Sequence, residues 1–155
     1  MTLPAPLRAA FLLVVGFAAA AHAQSAAPAA SRPAALSVED AWVRVIPGAT
    51  VAAAYMTLRN RGPTTIVVVG ARSPLAGPAM IHESKTVDGQ SRMRPIERLA
   101  IPPGGVVQLK PGGLHVMLPM PGRAPLPGDE VPITLELEGG GTLAVSARVR
   151  PPAAE

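Results

Sequence analysis

The chain contains 155 residues, with 14 Lys and Arg residues against 10 Asp and Glu residues, and it has no cysteine. The absence of cysteine excludes disulfide bonds, and it also excludes a blue-copper electron-transfer centre, because that centre needs a thiolate ligand. The basic residues are scattered and aromatic residues make up only 3% of the chain, so the composition argues against a nucleic-acid interface.

Residues 1–23 are typical of an export signal. Arg8 supplies the positive end, residues 9–20 form an apolar run, and Ala21-His22-Ala23 is a small-x-small cleavage site. The apolar run is too short to span a bilayer. We therefore predict export, cleavage after Ala23, and a mature chain that is not stably inserted in a membrane.

The remaining chain is predicted to contain one domain with a flexible segment at each end. Residues 24–36 are rich in alanine, serine and proline and are predicted to form a flexible leader, and residues 151–155 are predicted to form a tail. Residues 37–150 lie between them, and this length suits a single hydrophobic core.

Short strands separated by glycine and proline turns are predicted throughout this domain. The β-branched run over residues 64–69 predicts a buried strand. The chain has 19 prolines and no apolar stripe with helical spacing, so the sequence predicts an all-β fold, an antiparallel β-sandwich or barrel. The predicted strands cover residues 41–46, 51–58, 64–69, 80–84, 91–96, 104–109, 114–118, 130–137 and 142–149.

Two histidines remain after removal of the signal, and each stands in a pattern with methionine. His82 is followed after ten residues by Met93, and after twenty-one more by His115, with Met117 two positions further on. Thioether sulfur is soft and selects Cu(I), while imidazole binds copper in either redox state. In a chain without thiols, this set predicts a Cu(I) carrier.

Strand alternation predicts how these four side chains are displayed. On residues 114–118 the aliphatic positions face the core, so His115 and Met117 share the opposite face. A hairpin around Asp88-Gly89 places His82 and Met93 on neighbouring strands, with Ile81 pointing inward and His82 outward. Because the charge of Cu(I) is not neutralised by these ligands, a shallow site is expected.

Four further residues have roles that the sequence predicts less directly. Met80 shares the strand face of His82 and is a candidate supplementary ligand, and Met120 is a second candidate. Met56 is predicted to lie in the core. Trp42, the single tryptophan, is predicted to be a packed core anchor, with a partner-facing role as the alternative.

Two other classes of function are compatible with the sequence. A zinc hydrolase that uses His82, Glu83 and His115 would need an open metal position and an activated water. However, Glu83 follows His82 on a predicted strand and should point away from it, unlike the helical zinc-hydrolase motif. A metal-free β-sandwich that binds a protein or a glycan would be indifferent to loss of His115 or Met117.

The chain resembles the periplasmic copper chaperones of the PCuAC family, whose signature is His, ten residues, Met, twenty-one residues and His-x-Met. His82, Met93, His115 and Met117 match every position, and the resemblance extends over residues 37–150, including Leu109-Lys110-Pro111-Gly112-Gly113. The resemblance implies a cupredoxin-like β-sandwich in the periplasm that binds one Cu(I) at these four residues and catalyses no reaction.

The resemblance also implies what happens to the copper. Members of the PCuAC family deliver copper toward the CuA centre of cytochrome c oxidase. The implied partners are therefore subunit II of that oxidase, a Sco-type thiol protein, or both.

Overall fold

The structure, a computed structural model, describes residues 35–151. The predicted signal peptide, the leader up to residue 34 and the predicted tail from residue 152 onward lie outside the described residues. Within residues 35–151 the chain forms ten strands, and no helix is present that could cross a membrane. The strands are β1 (Leu36–Val45), β2 (Val51–Asn60), β3 (Ile66–Ser73), β4 (Gly77–Val87), β5 (Gln90–Ile96), β6 (Leu99–Ile101), β7 (Val106–Leu109), β8 (Leu114–Pro119), β9 (Glu130–Leu137) and β10 (Thr142–Arg150).

Seven of these strands close into a barrel. Their order is β4-β8-β2-β1-β10-β9-β3, and β3 pairs back onto β4 to complete the ring. β5 extends the sheet beyond β4, while β6 pairs with β3 and β7 pairs with β2. All pairs are antiparallel except β1 with β10. The predicted all-β class is confirmed.

The barrel core follows from the two-residue alternation of side chains along each strand. β10 shows it most simply, because every second residue from Leu143 to Val149 is buried and the residues between them are exposed. Met56 is buried in the core, as predicted. The largest fully buried apolar side chains are Met56, Leu58, Ile81, Ile101, Leu118, Ile133, Leu135, Val43, Val68, Val116 and Val131.

Several predicted strands differ from the structure in their bounds, and β6 was not predicted. The differences at β1 and β3 have clear physical reasons. β1 begins at Leu36, five residues before the predicted start, and a bulge between Glu39 and Trp42, with Asp40 at a φ of 52°, breaks its alternation. A buried strand was predicted over residues 64–69. The corresponding strand, β3, begins at Ile66 and is buried on one face only. Its Val68 is buried while Val69 is 39% exposed, because one face of the barrel wall meets solvent.

The predicted hairpin around Asp88-Gly89 is confirmed. Asp88 and Gly89 have φ values of 51° and 76°, as a two-residue turn with two positive φ angles requires. Residues 85–95 are exposed throughout, so the hairpin of β4 and β5 projects beyond the barrel wall. This hairpin carries Met93.

Candidate metal centre

His82 and His115 lie directly opposite each other on β4 and β8, and their ring centroids are 6.0 Å apart. Met117 is two residues beyond His115 on the same face of β8. Met93 on β5 is paired with Ser84, which shares the face of His82. The structure therefore brings all four predicted residues to the outer face of three neighbouring strands.

The histidines of this group are buried and the methionines lie nearer to solvent. His82 is 9% exposed and His115 is 5% exposed, whereas Met93 is 52% exposed. Ile81 points into the core, so the predicted outward direction of His82 is confirmed. Sequence reasoning missed how deeply the rings are covered, because it considered the strand face and not the side chains beside it.

A cavity of about 300 Å³ opens on this face of the sheet. His82 is outside its lining. The lining includes Met93, His115, Met117, Ser84, Tyr55 and Arg44. Two thioethers and one imidazole thus meet at a single depression.

A hydrogen bond sets the tautomer of His115. Its Nδ1 lies 3.0 Å from the carbonyl oxygen of Gly113, an acceptor, so Nδ1 carries the proton and donates it. The Nε2 atom then keeps its lone pair, which is the arrangement of a metal-binding imidazole whose other nitrogen is held by a carbonyl. The same carbonyl accepts the backbone N–H of Ser84 at 3.0 Å and ties β4 to this turn.

His82 has a different environment. Its Nδ1 is buried and has no hydrogen-bond partner among residues 35–151. Burial lowers the pKa of His82 from its ordinary value of 6.5, and the charge of a protonated His115 lowers it further. Both effects favour the neutral ring, which is the form that binds a metal ion.

Aromatic and basic side chains continue the same outer face away from the two histidines. The Tyr55 ring lies 6.3 Å from His115 and 4.5 Å from Trp42. The guanidinium of Arg44 lies over Tyr55 and that of Arg150 over Trp42, at 5.8 and 4.8 Å. The prediction of Trp42 as a core anchor is wrong, because its neighbour Val43 fills the core and Trp42 points outward.

The two methionines that were predicted as supplementary ligands lie in different environments. Met120 is buried in the hydrophobic core, so it has no part in this face. Met80 is 58% exposed and pairs with Met117 across β4 and β8.

Glu83 points to the opposite face of the hairpin, where Arg94 and Lys85 contact its carboxylate at 2.6 and 3.2 Å. Hydrogen bonds from Arg94 and then Lys85 hold the pKa of Glu83 below its ordinary value.

A family model and a named relative both match this chain over most of its length. The LpqE-like family model matches residues 36–149. The chain belongs to the LpqE-like family. A relative from Leifsonia xyli subsp. xyli, which carries the name of a lipoprotein, Lxx21020, is 36% identical over 117 residues, or 74% of this chain and 69% of the relative.

Two solved structures share the fold. The Cu(I) form of DR1885 from Deinococcus radiodurans is 35% identical with a TM-score of 0.59, over 84% of this chain and 87% of that one. The copper-bound PCuAC domain of PmoF2 is 24% identical with a TM-score of 0.62, over 76% of this chain and 94% of that one. The resemblance to PCuAC proteins and the cupredoxin-like fold are thereby confirmed.

Proposed function

We propose that this chain is an exported Cu(I) metallochaperone that binds one Cu(I) through His82, Met93, His115 and Met117. The observation that carries the proposal is the directly opposed histidine pair with thioethers on the same sheet face. The similarity to the Cu(I) form of DR1885 supports the choice of metal.

The donor set fits this metal. Two imidazoles and two thioethers provide soft and borderline ligands that carry no charge, a combination that favours Cu(I) over harder ions. The ring centroids of His82 and His115, at 6.0 Å, leave room for one ion in contact with a nitrogen of each ring. A metal ion bound to Nδ1 of His82 would also satisfy a buried atom that otherwise lacks a partner.

The arrangement suits carriage of the ion and its onward transfer. Met93 lies half in solvent on the projecting hairpin, so an acceptor can reach the metal from that side. A thiolate acceptor binds Cu(I) more tightly than thioethers do, and transfer to it runs downhill. We propose that the copper is delivered in the periplasm toward the CuA centre of cytochrome c oxidase, to subunit II or through a Sco-type thiol protein.

The geometry opposes the zinc-hydrolase alternative. A hydrolytic site needs a general base beside the metal-bound water. Glu83 is the acidic residue next to His82, but it lies on the opposite face of the hairpin and is engaged by Arg94 and Lys85. Within residues 35–151 no three His, Cys, Asp or Glu side chains are grouped closely enough to hold a metal ion.

Competition between metals tests the proposal. Purified mature protein should bind one equivalent of Cu(I) against a calibrated Cu(I) chelator, and Zn(II) in excess should not displace it. Zn(II) binding as tight as Cu(I) binding would contradict the proposal. Absence of any metal binding would instead identify a metal-free binding module.

A further inference from the structure

Met80 belongs to the outer face of the proposed copper site but lies outside the four-residue signature. Its neighbours Ala79 and Ile81 are core residues, so strand alternation turns Met80 outward. It is 58% exposed, the largest exposed fraction among the exposed large apolar side chains of residues 35–151. Such exposure of an apolar side chain gains nothing for the stability of the barrel.

The register of β4 and β8 places Met80 directly opposite Met117, as it places His82 opposite His115. Directly opposed residues in an antiparallel pair have Cβ atoms about 4.5–5.5 Å apart. Methionine is unbranched and flexible, so two such thioethers can turn their sulfur atoms toward one ion. Two successive donor pairs, one of imidazoles and one of thioethers, thus follow each other along the two strands.

We propose that Met80 and Met117 form an outer Cu(I)-binding position through which the ion enters and leaves the His–Met site. This inference rests on the proposed function. Met117 is common to both positions, so the ion can gain the Met80 sulfur before it loses the His82 nitrogen. The step exchanges one neutral ligand for another, and copper remains Cu(I) throughout.

The inner and outer positions differ in solvent accessibility and in their affinity for Cu(I). The histidine pair is buried, whereas Met80 is open to solvent and to an approaching acceptor. A position with two thioethers holds Cu(I) less firmly than one that adds two imidazoles, because fewer donors contribute. The outer position therefore governs the rate of exchange more than the equilibrium affinity.

Methyl NMR of the full mature protein, labelled with ¹³C at the methionine methyl groups, tests this position directly. Cu(I) is added anaerobically to two equivalents, and resonances are assigned by single Met→Leu variants. We expect the methyl signals of Met80, Met93 and Met117 to shift and those of the core residues Met56 and Met120 to stay. If the Met93 and Met117 signals shift and the Met80 signal does not, the outer position is overturned and the proposed function stands. If neither the Met93 nor the Met117 signal shifts, the proposed function is overturned.

Kinetics supplies the second readout. Met80→Leu should slow transfer of bound Cu(I) to a small thiol chelator by about tenfold, which corresponds to about 1.4 kcal/mol of activation free energy. Met120→Leu, a matched change in the core, should leave the rate as in the wild type. An unchanged rate in Met80→Leu would overturn the inference. Loss of equilibrium affinity as large as in Met117→Leu would also overturn it, because Met80 would then be a ligand of the inner site.

Discussion

His82 and His115 face each other across β4 and β8, yet their rings are fixed in different ways. The Gly113 carbonyl holds Nδ1 of His115, whereas Nδ1 of His82 is buried without a partner. A held ring keeps its ligand atom in place, and an unpaired buried nitrogen costs free energy until something binds it. At the residue scale, the proposed site therefore combines one ring held by a hydrogen bond with one buried nitrogen that a bound metal ion would satisfy.

Met117 is the candidate ligand whose role is simplest to test. Met117→Leu conserves volume and removes only the sulfur, so the free energy of unfolding of the apo protein should change by less than about 1.5 kcal/mol. The Cu(I) affinity should fall by at least about tenfold, since even residues that merely support metal ligands have effects of this size. A chelator competition and a thermal melt measure the two quantities. Unfolding of the variant, with unchanged affinity per folded molecule, would make Met117 a structural residue.

His82 gives the apo protein a pH-dependent stability. Its pKa is lower in the folded state than the ordinary value of 6.5, so the unfolded chain binds the proton more readily. The stability associated with the neutral ring is complete above about pH 6.5 and is lost as the pH falls through the lower folded pKa. Urea unfolding between pH 8 and pH 5 should show this loss, and His82→Gln should reduce it. An identical pH profile in the variant would contradict the assignment.

At the scale of elements, the hairpin of β4 and β5 determines where Met93 lies. Residues 85–95 are exposed, so the turn and the strand pairing hold this arm in register without support from the core. Gly89 has a φ of 76°, a conformation that costs a residue with a side chain about 1–2 kcal/mol. A substitution that strains this turn should therefore displace Met93 and weaken Cu(I) binding at the proposed site.

Gly89→Val tests this dependence, and Gly139→Val is its matched control. Both glycines have positive φ, at 76° and 84°, and an added Cβ would meet no atom within 4 Å at either position. Gly139 lies in the turn between β9 and β10, outside the hairpin that carries Met93. Chelator competition should show weaker Cu(I) binding in Gly89→Val and wild-type binding in Gly139→Val. Equal affinities in the two variants would show that Met93 placement does not depend on the hairpin.

Elements with a simple local signal were predictable, and elements shaped by long-range pairing were not. Asp88-Gly89 specifies its turn by itself, and the spacing of His115 and Met117 gives their common face through alternation. The prediction for Trp42 was wrong because the size of its side chain suggested a core role. Arg44, two residues later, lies on the same face of β1 and indicates that this face points outward. The bulge in β1 depends on pairing with β2, so the local sequence does not reveal it.

At the scale of the whole molecule, the barrel and the proposed site are largely independent. The core is enclosed by the seven barrel strands, while the four candidate ligands lie on the outer face and the projecting hairpin. The apo protein should therefore be folded. Bound Cu(I) should raise its stability according to occupancy, by about 4.1 kcal/mol at a free concentration of 1,000 times Kd.

A substitution at Asn60 tests whether the stability of the fold and the affinity for Cu(I) are independent. It is fully buried, donates to the carbonyls of Thr64 and Ile101 at 2.7 and 2.9 Å, and accepts the Gly62 N–H at 2.9 Å. Asn60→Leu leaves these groups without their partner, which should lower the free energy of unfolding by about 1–3 kcal/mol. The Cu(I) affinity of the folded fraction, measured below its melting temperature, should equal that of the wild type. A loss of affinity would show that the barrel and the site are coupled.

X-ray absorption at the copper edge of the Cu(I)-loaded protein tests the central claim most directly, because it reports the atoms around the metal. We expect two nitrogen and two sulfur scatterers, with one sulfur lost in Met117→Leu and one nitrogen lost in His82→Gln. A first shell made only of nitrogen and oxygen, or one that is the same in both variants, would contradict the assignment of His82, Met93, His115 and Met117 as the ligands.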